Sequence, residues 1–256
     1  MAARTLKSRL DFLLTRTPGL YAAALSLRPS PDADKIAFLR LVRPGAVVFD
    51  VGANLGYYTV LFSHLAGPAG EVHAFEPVPG TFRRLEENLA RERRFGNVRA
   101  HRLAVGDRPG TAVLYLPGED HGQASLARHA AGSWSVGEAV TEHACAMTTL
   151  DAYARERGVS RVGFVKCDVE GAELAVLRGA ASLLARHRPV LHLEVSADWT
   201  HDFGYGPGDL AAFLTGLGYA GFRLLRDGRE ERIDPAAIGG LRGSANLLCF
   251  PGEAGR

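Results

Sequence analysis

The chain of 256 residues can bury a full hydrophobic core, and its 46% hydrophobic and 23% charged residues are ordinary for a globular protein, so one α/β domain is the default expectation. A net charge of +2 provides no broad basic surface for nucleic acid, and no apolar run approaches the ~18 residues of a membrane-spanning helix. Three scattered cysteines, Cys145, Cys167 and Cys249, form neither a disulfide framework nor a zinc-binding spacing, which indicates a reducing compartment and predicts a cytoplasmic location.

Residues 1–44 are predicted to form an N-terminal helical extension, and residues 45–256 the main domain. A helical pattern from Asp32 to Val42 ends at Pro44. Charged residues interrupt the apolar stretch at residues 10–14, so this stretch does not resemble a signal peptide. We expect an amphipathic helix that packs on the domain, and a helix that binds a membrane surface or a second subunit is the alternative. No feature of the sequence predicts an oligomeric state.

The main domain alternates predicted strands with predicted helices. In chain order these are strand Val47–Val51, helix Tyr57–Leu65, strand Glu71–Phe75, helix Thr81–Arg93, strand Val98–Val105, helix Asp151–Arg157, strand Val162–Cys167, helix Glu173–Ala185, strand Val190–Val195 and helix Gly208–Leu217. Such alternation is typical of an α/β fold with a mostly parallel, doubly wound sheet.

Two departures from the alternation are predicted. The segments Thr111–Leu116 and Val140–Thr148 are expected to form a hairpin-like insertion, joined by a long loop from Pro117 to Glu138. The late strands Gly221–Leu225 and Asn246–Phe250 are expected to pair as an antiparallel edge of the sheet. Because long loops in compact domains are often functional, we expect the insertion loop to form one wall of a ligand pocket.

The most informative segment is the turn that follows the first strand. Asp50 lies near the end of that strand, and the turn has the pattern G-x-N-x-G with Gly52, Asn54 and Gly56. A dinucleotide site would have glycine in place of Asn54, so that the backbone could approach a pyrophosphate. The pattern instead favours S-adenosylmethionine, whose carboxylate can bind the following helix start and whose cationic end favours an acid. Glu76, twenty residues after Gly56, is placed to accept hydrogen bonds from the ribose hydroxyls. A strand–helix unit whose glycines serve only the turn is the alternative.

Acidic residues also follow a later strand, in the segment K-C-D-V-E-G-A-E. Ligands of open α/β sheets bind outside the carboxyl ends of the strands, so Asp168 and Glu170 are expected beside the same pocket. In the alternative interpretation, Asp168 caps the following helix, while Glu170 and Glu173 face the positive end of its dipole.

The next strand carries His192, Glu194 and Ser196 on one side. Glu194 lies near the carboxyl end of this strand and should reach the same cleft, where a carboxylate in an apolar strand needs a partner. His192 lies deeper and is expected to be a hydrogen-bonded residue of the core.

Several segments together resemble the FkbM family of S-adenosylmethionine-dependent methyltransferases. They are F-D-V-G-A-N-L-G-Y-Y-T (Phe49–Thr59), A-F-E-P (Ala74–Pro77), A-V-G-D (Ala104–Asp107), G-Q-A-S-L (Gly122–Leu126), T-T-L-D (Thr148–Asp151), V-K-C-D-V-E-G-A-E (Val165–Glu173) and H-L-E-V (His192–Val195). The resemblance implies a Rossmann-like class I methyltransferase fold. It also implies methyl transfer to a small-molecule acceptor, usually to a hydroxyl oxygen of a natural product or a sugar.

The resemblance implies roles for individual residues. Three acids would face the acceptor as catalytic residues: Glu170, Asp168 and Glu194. Three residues of the insertion loop would line the wall between cofactor and acceptor: His121, Gln123 and Ser125. The cofactor-binding residues would be Asp50, Gly52, Ala53, Asn54, Gly56, Tyr58, Thr59, Glu76, Pro77, Ala104, Val105 and Asp168.

Methyl transfer from a sulfonium is an in-line displacement, so an enzyme contributes mainly by aligning the acceptor oxygen. A hydroxyl acceptor also has to lose its proton, and Glu170 is the preferred base, with Asp168 next. Acids at these strand ends would also suit a hard cation such as Mg²⁺, held by Asp168 and Glu194, so a metal requirement stays open.

Three other functions are weighed against methyl transfer to a small molecule. An NAD-linked oxidoreductase shares the strand–helix–strand unit but is disfavoured by Asn54 and by Asp50 before the turn. Methylation of RNA or DNA is disfavoured by the near-neutral charge and by the lack of an aromatic-proline catalytic tetrapeptide. A non-catalytic cofactor-binding module is disfavoured because such a module does not need acids along its cleft.

Overall fold

The computed structural model describes residues 14, 17–26, 32–91, 96–117, 124–129, 139–226 and 228–252. Two of the predicted acceptor residues, His121 and Gln123, lie outside these ranges, as do most of the insertion loop and the first 13 residues of the N-terminal extension. Within the described ranges, no helix has both the length and the apolar character needed to cross a membrane.

The strands and helices alternate through most of the chain. The strands are β1 (Val47–Val51), β2 (Glu71–Phe75), β3 (Val98–His101), β4 (Ala104–Val105), β5 (Gly110–Pro117), β6 (Val140–Thr148), β7 (Phe164–Cys167), β8 (Val190–Ser196), β9 (Tyr219–Arg226), β10 (Arg229–Arg232) and β11 (Ser244–Pro251). The helices are α1 (Pro18–Ser26), α2 (Ala33–Leu41), α3 (Tyr57–Ala66), α4 (Pro79–Ala90), α5 (Leu150–Glu156), α6 (Glu173–Arg178), α7 (Ala181–His187), α8 (Ala197–Asp202), α9 (Pro207–Gly216) and α10 (Pro235–Ile238).

The central sheet has eight strands in the order β10-β9-β11-β8-β7-β1-β2-β3. The five strands from β8 to β3 run parallel to one another. Strand β11 is antiparallel to both β8 and β9, and β10 closes the edge as a hairpin with β9. The predicted mostly parallel, doubly wound sheet with an antiparallel edge is therefore confirmed.

The insertion forms a second sheet of three strands, in the order β4-β6-β5. Strands β5 and β6 pair as the predicted antiparallel hairpin. The single strand predicted over Val98–Val105 is divided, because the chain leaves the central sheet after His101, whose carbonyl accepts the N–H of Glu76. Ala104 and Val105 then pair with β6 in the second sheet.

The helix predicted over Glu173–Ala185 is also divided, into α6 and α7. The cause is Asp151, whose carboxylate accepts the N–H groups of Ser182 at 3.0 Å and Leu183 at 2.7 Å. The N–H of Asp151 also donates to the carbonyl of Gly179 at 3.0 Å. Asp151 therefore satisfies backbone groups on both sides of the break, which a continuous helix would have satisfied internally.

Adjacent residues of β1 show how the core is divided between the two faces of the sheet. Phe49 packs on one face, where its ring lies 5.8 Å from that of Tyr153 in α5. Val48 packs on the other face with Phe38 of α2 and Phe62 of α3, whose rings lie 5.1 Å apart. Neighbouring strand residues point to opposite faces, so helices cover both sides of the sheet. The N-terminal extension contributes Phe38 to this core.

Candidate active site

A cavity opens at the carboxyl ends of β1, β2 and β7, beside the insertion, and contains about 650 Å³ of empty space, part of it open to solvent. The turn after β1 and the start of the segment after β2 form one wall, and the segment after β7 faces them. Seven of the predicted cofactor residues line it: Gly52, Asn54, Glu76, Pro77, Ala104, Val105 and Asp168. Glu170 lines it as well.

The sequence did not indicate the apolar part of the lining. These residues include Phe75, Val78, Leu103, Leu114, Ala124 and Leu126. They come from four separate parts of the chain, and their apolar character is shared with the core, so no local pattern separates them from core residues.

The other predicted cofactor residues do not line the cavity: Ala53 and Gly56 belong to the turn, and Asp50, Tyr58 and Thr59 lie behind it in β1 and α3. Thr59 is buried and donates to Asp50, while the N–H of Ala53 donates to the carbonyl of Phe75 at 3.0 Å. Gly56 precedes α3, and Tyr58 packs edge-on against Phe38 with the rings 5.0 Å apart.

The turn after β1 is pressed against the end of β7. Gly52 has a φ of +77°, and a Cβ atom there would lie 1.8 Å from the carbonyl oxygen of Asp168. The N–H of Gly52 donates to the carbonyl of Phe75 at 3.0 Å, which also ties the turn to β2. Only glycine fits this combination of left-handed backbone and close contact.

Glu76 is 6% exposed and holds the turn from the β2 side. Its two carboxylate oxygens accept the N–H of Asn54 at 3.0 Å and the N–H of Val78 at 2.9 Å. Burial raises the pKa of Glu76 to about 7, although these two N–H groups oppose the shift. Each oxygen has further lone pairs, so the carboxylate can accept hydrogen bonds from a ligand as well.

A buried lysine lies between two of the acids. The ammonium of Lys166 lies 3.1 Å from Asp168 and 3.7 Å from Asp50, and it donates to the carbonyl of Gly52 at 3.2 Å. The hydroxyl of Thr59 donates to the other oxygen of Asp50 at 2.6 Å. Burial raises the pKa of Asp50, and the Lys166 ammonium opposes this. The role of Lys166 was not predicted, although a charged residue in an apolar strand signals a buried partner.

The three predicted catalytic acids differ in their pKa values. Burial disfavours the ionised form of Asp168, but the Lys166 ammonium and a hydrogen bond with Glu194 hold its pKa below the ordinary value. Burial and the charge of Asp168 raise the pKa of Glu194 to about 8. Burial, together with the neighbouring acids, raises the pKa of Glu170 to about 9. Glu170 and Glu194 therefore hold their protons to higher pH than Asp168 does.

Among these acids, Glu173 and not Asp168 accepts hydrogen bonds from the backbone before the helix. The carboxylate of Glu173 accepts the N–H of Val169 at 3.1 Å and the N–H of Gly171 at 3.3 Å. Helix α6 begins after Ala172, which makes no side-chain capping bond. Glu173 therefore satisfies the backbone before the helix, while Glu170 lines the cavity.

Ser125 is the predicted acceptor residue that the structure describes. It is buried, and its hydroxyl donates to the carbonyl of Glu170 at 2.9 Å. Its neighbours Ala124 and Leu126 line the cavity. The side chain of Ser125 therefore contacts the acid segment, and its neighbours form the wall.

The donor set does not fit the magnesium site that the sequence left open. Among the described residues, no group of three or more His, Cys, Asp or Glu side chains is arranged to hold a metal ion. The two predicted ligands, Asp168 and Glu194, share a hydrogen bond with each other, and Asp168 also contacts the Lys166 ammonium, whose positive charge disfavours a cation there. A magnesium ion at this position is not supported.

The parallel sheet, the glycine turn after β1 and the acid after β2 define a class I S-adenosylmethionine-dependent methyltransferase. The family model described as methyltransferase FkbM domain matches residues 50–223. The 31-O-demethyl-FK506 methyltransferase FkbM of Streptomyces tacrolimicus is 30% identical over 209 residues, which cover 70% of this chain and 74% of that protein. The chain belongs to the FkbM methyltransferase family.

Two further comparisons extend this assignment. The hexuronic acid methyltransferase AglP of Haloferax volcanii is 31% identical over 142 residues, 54% of this chain and 51% of that protein. The crystal structure of methyltransferase FkbM from Methylobacillus flagellatus superposes with a TM-score of 0.52 at 15% identity. That superposition covers 95% of this chain but 59% of the other protein, and at this identity it shows the fold alone.

Proposed function

We propose that this protein transfers the methyl group of S-adenosylmethionine to a hydroxyl oxygen of a small molecule, such as a natural product or a sugar. The observation that carries the proposal is one cavity with Glu76 and the glycine turn on one wall and Asp168 and Glu170 on the other. Relatives named as methyltransferases of 31-O-demethyl-FK506 and of hexuronic acid support a small acceptor.

The residues of the first wall fit the cofactor chemically. The carboxylate of Glu76 can accept hydrogen bonds from two ribose hydroxyls while keeping its bonds to Asn54 and Val78. The apolar side chains of Val78 and Leu103 would cover the adenine base of the cofactor. The residues behind the turn, including Asp50 and Thr59, would support it without contacting the ligand.

The second wall supplies the acid–base chemistry. S-Adenosylmethionine, when bound, supplies an electrophilic methyl group on a positively charged sulfur. Positive charge in the cavity favours the ionised form of a nearby carboxyl and so lowers the high pKa of Glu170. The Glu170 carboxylate would then accept the proton of the acceptor hydroxyl, and Asp168 is the second candidate for this role.

The test uses S-adenosylmethionine with a radiolabelled methyl group and a panel of hydroxylated acceptors: neutral sugars, uronic acids and secondary alcohols of macrolides. We expect label in an alkali-stable ether. Label found only in alkali-labile esters, or in no acceptor, would contradict hydroxyl methylation. Calorimetry with S-adenosylhomocysteine and with NAD separates the cofactor assignment from the acceptor, because binding of NAD alone would favour an oxidoreductase.

We also propose a cytoplasmic location. All three cysteines of the chain are unpaired, and Cys167 and Cys249 are buried. Unpaired cysteines support a reducing compartment.

A further inference from the structure

The segment after β7 has an unusual backbone at the residue that faces the cavity. Glu170 has a φ of +55°, in the left-handed region that glycine favours, and Gly171 follows with a φ of +99°. A non-glycine residue keeps this conformation only where its surroundings impose it, and such positions cluster at functional sites. The contacts of Glu170 should therefore show what holds its backbone in this conformation.

Two side chains of the insertion contact the carbonyl oxygen of Glu170. The hydroxyl of Ser125 lies at 2.9 Å and Nε2 of His129 at 3.2 Å. The other ring nitrogen of His129, Nδ1, lies 2.8 Å from a carboxylate oxygen of Asp202 in α8. The His129 side chain is fully buried, and its ring stacks on Trp199 with the centroids 5.2 Å apart.

The His129 side chain connects the backbone of Glu170 to α8. One ring nitrogen lies at the carbonyl oxygen of Glu170 and the other at a carboxylate oxygen of Asp202. The exposed His201, 3.8 Å from the other oxygen of Asp202, is the second histidine near this pair. The contact with Asp202 therefore orients the ring toward Glu170.

The same segment also packs against α8 and the residue after it. A Cβ atom on Gly171 would lie 3.0 Å from the carbonyl oxygen of Trp199 and 3.0 Å from the ring of Phe203. Glu170 and Gly171 therefore contact the insertion and α8, respectively. Because Ala124 and Leu126 line the cavity just before His129, this contact joins the cavity wall to the acid segment.

We propose that His129, held by Asp202, is a positioning residue that fixes the backbone of Glu170 and so places its carboxyl group in the cavity. His129 does not line the cavity, and it acts through the carbonyl oxygen of Glu170. The expected effect on catalysis rests on the proposed function, in which Glu170 faces the acceptor. The expected effect on the backbone of Glu170 does not depend on that function.

The first test is amide hydrogen exchange of residues 168–173 in the full chain, with and without S-adenosylhomocysteine. In His129→Gln and in Asp202→Asn we expect exchange at least about tenfold faster, because each variant breaks the contact from Asp202 through the His129 ring to the carbonyl oxygen of Glu170. The double variant should be about as fast as the single variants, since the two residues act as one unit. The matched control is His143→Gln, which changes an exposed histidine of β6 and should not alter this exchange.

The second test separates positioning from a general loss of structure. With the acceptor identified by the labelling assay, His129→Gln should lower kcat about tenfold or more and leave KM for S-adenosylmethionine within about threefold. Asp202→Asn keeps the ring and carries the test if His129→Gln does not fold. Unchanged exchange in both variants, or equal losses in kcat and cofactor affinity, would overturn the inference. Exchange needs no acceptor, so a failure of the proposed function would be seen separately.

Discussion

The ammonium of Lys166 lies 3.1 Å from the carboxylate of Asp168, two residues further along the chain. The Lys166 side chain is 3% exposed. Burial opposes its charge, but Asp168 and Asp50 raise the pKa of Lys166 above its ordinary value, so the lysine stays charged. A buried ammonium therefore contacts Asp168, one of the two acids that the sequence suggests as ligands of a divalent cation.

Replacing this cation should destabilise the fold. In Lys166→Met, the buried carboxylate of Asp50 and the partly exposed carboxylate of Asp168 lose their partner, and we expect the free energy of unfolding in urea at neutral pH to fall by about 3–5 kcal/mol. The control is Arg40→Met, which breaks a more exposed pair with Glu230 and should cost less than about 1 kcal/mol. Equal losses in the two variants would show that Lys166 does not hold the acids.

Gly52 offers a test of the close contact between the turn and β7. In Gly52→Ala the new Cβ would lie 1.8 Å from the carbonyl oxygen of Asp168, so we expect loss of cofactor binding and of stability. The control is Gly45→Ala, where φ is similar at +79° and nothing lies within 4 Å of the added atom. In that variant the free energy of unfolding should fall only by the cost of an alanine in the left-handed conformation, about 1–2 kcal/mol. Similar unfolding energies for the two variants would contradict the contact.

How far the sequence predicts this fold depends on whether the signal is local. Strand Glu71–Phe75 is predicted with its observed ends, because an apolar run lies between a turn and an acid. Strand β10 was missed, since Arg229–Arg232 carries four charged residues and is a strand because it pairs with β9. Edge strands often carry charges, so composition does not distinguish them from loops.

Prediction of the site residues also depended on whether their signal is local. The residues of the glycine turn and Glu76 were predicted because they lie within one strand–helix–strand unit of known spacing. His129 and Asp202 are 73 residues apart, and neither belongs to a motif, so only the folded chain brings them together. Lys166 stood within a recognised segment, but its role depends on Asp50 of the neighbouring strand.

Glu76→Ala should weaken cofactor binding without unfolding the protein. Two hydrogen bonds from ribose hydroxyls to a carboxylate would be lost, each worth roughly 1.5–3 kcal/mol, so the dissociation constant for S-adenosylhomocysteine should rise at least about a hundredfold. Calorimetry measures this dissociation constant in the wild type and the variant. The control is Glu71→Ala, at the opposite end of the same strand. An unchanged constant would mean that Glu76 does not hold the ribose.

The stability of the protein without ligand should fall as the pH rises from about 6.5 to about 8.5. The folded-state pKa values of Glu170, Glu173 and Glu194 are raised to about 9, 7 and 8, above the ordinary value of 4.5. The folded protein therefore holds protons that the unfolded chain has released, and this contribution to stability is lost as the pH rises through the folded values. Thermal unfolding at constant ionic strength measures it. The slope should be shallower in Glu173→Gln, and a melting temperature that rises over this range would contradict the assignment.

The last prediction concerns Glu170 as the base. Glu170→Gln should lower turnover by ~10²–10⁴ because the variant cannot accept the hydroxyl proton, while cofactor affinity stays nearly unchanged. Since the pKa of Glu170 is about 9 in the free protein, kcat/KM of the wild type should rise with pH toward that value. The profile of kcat should shift to lower pH, because positive charge in the cavity favours the carboxylate. The control is Glu231→Gln, an exposed glutamate of β10 that should leave both profiles unchanged. Full activity in Glu170→Gln would remove Glu170 from the reaction and make Asp168, ionised beside Lys166, the acid to examine next.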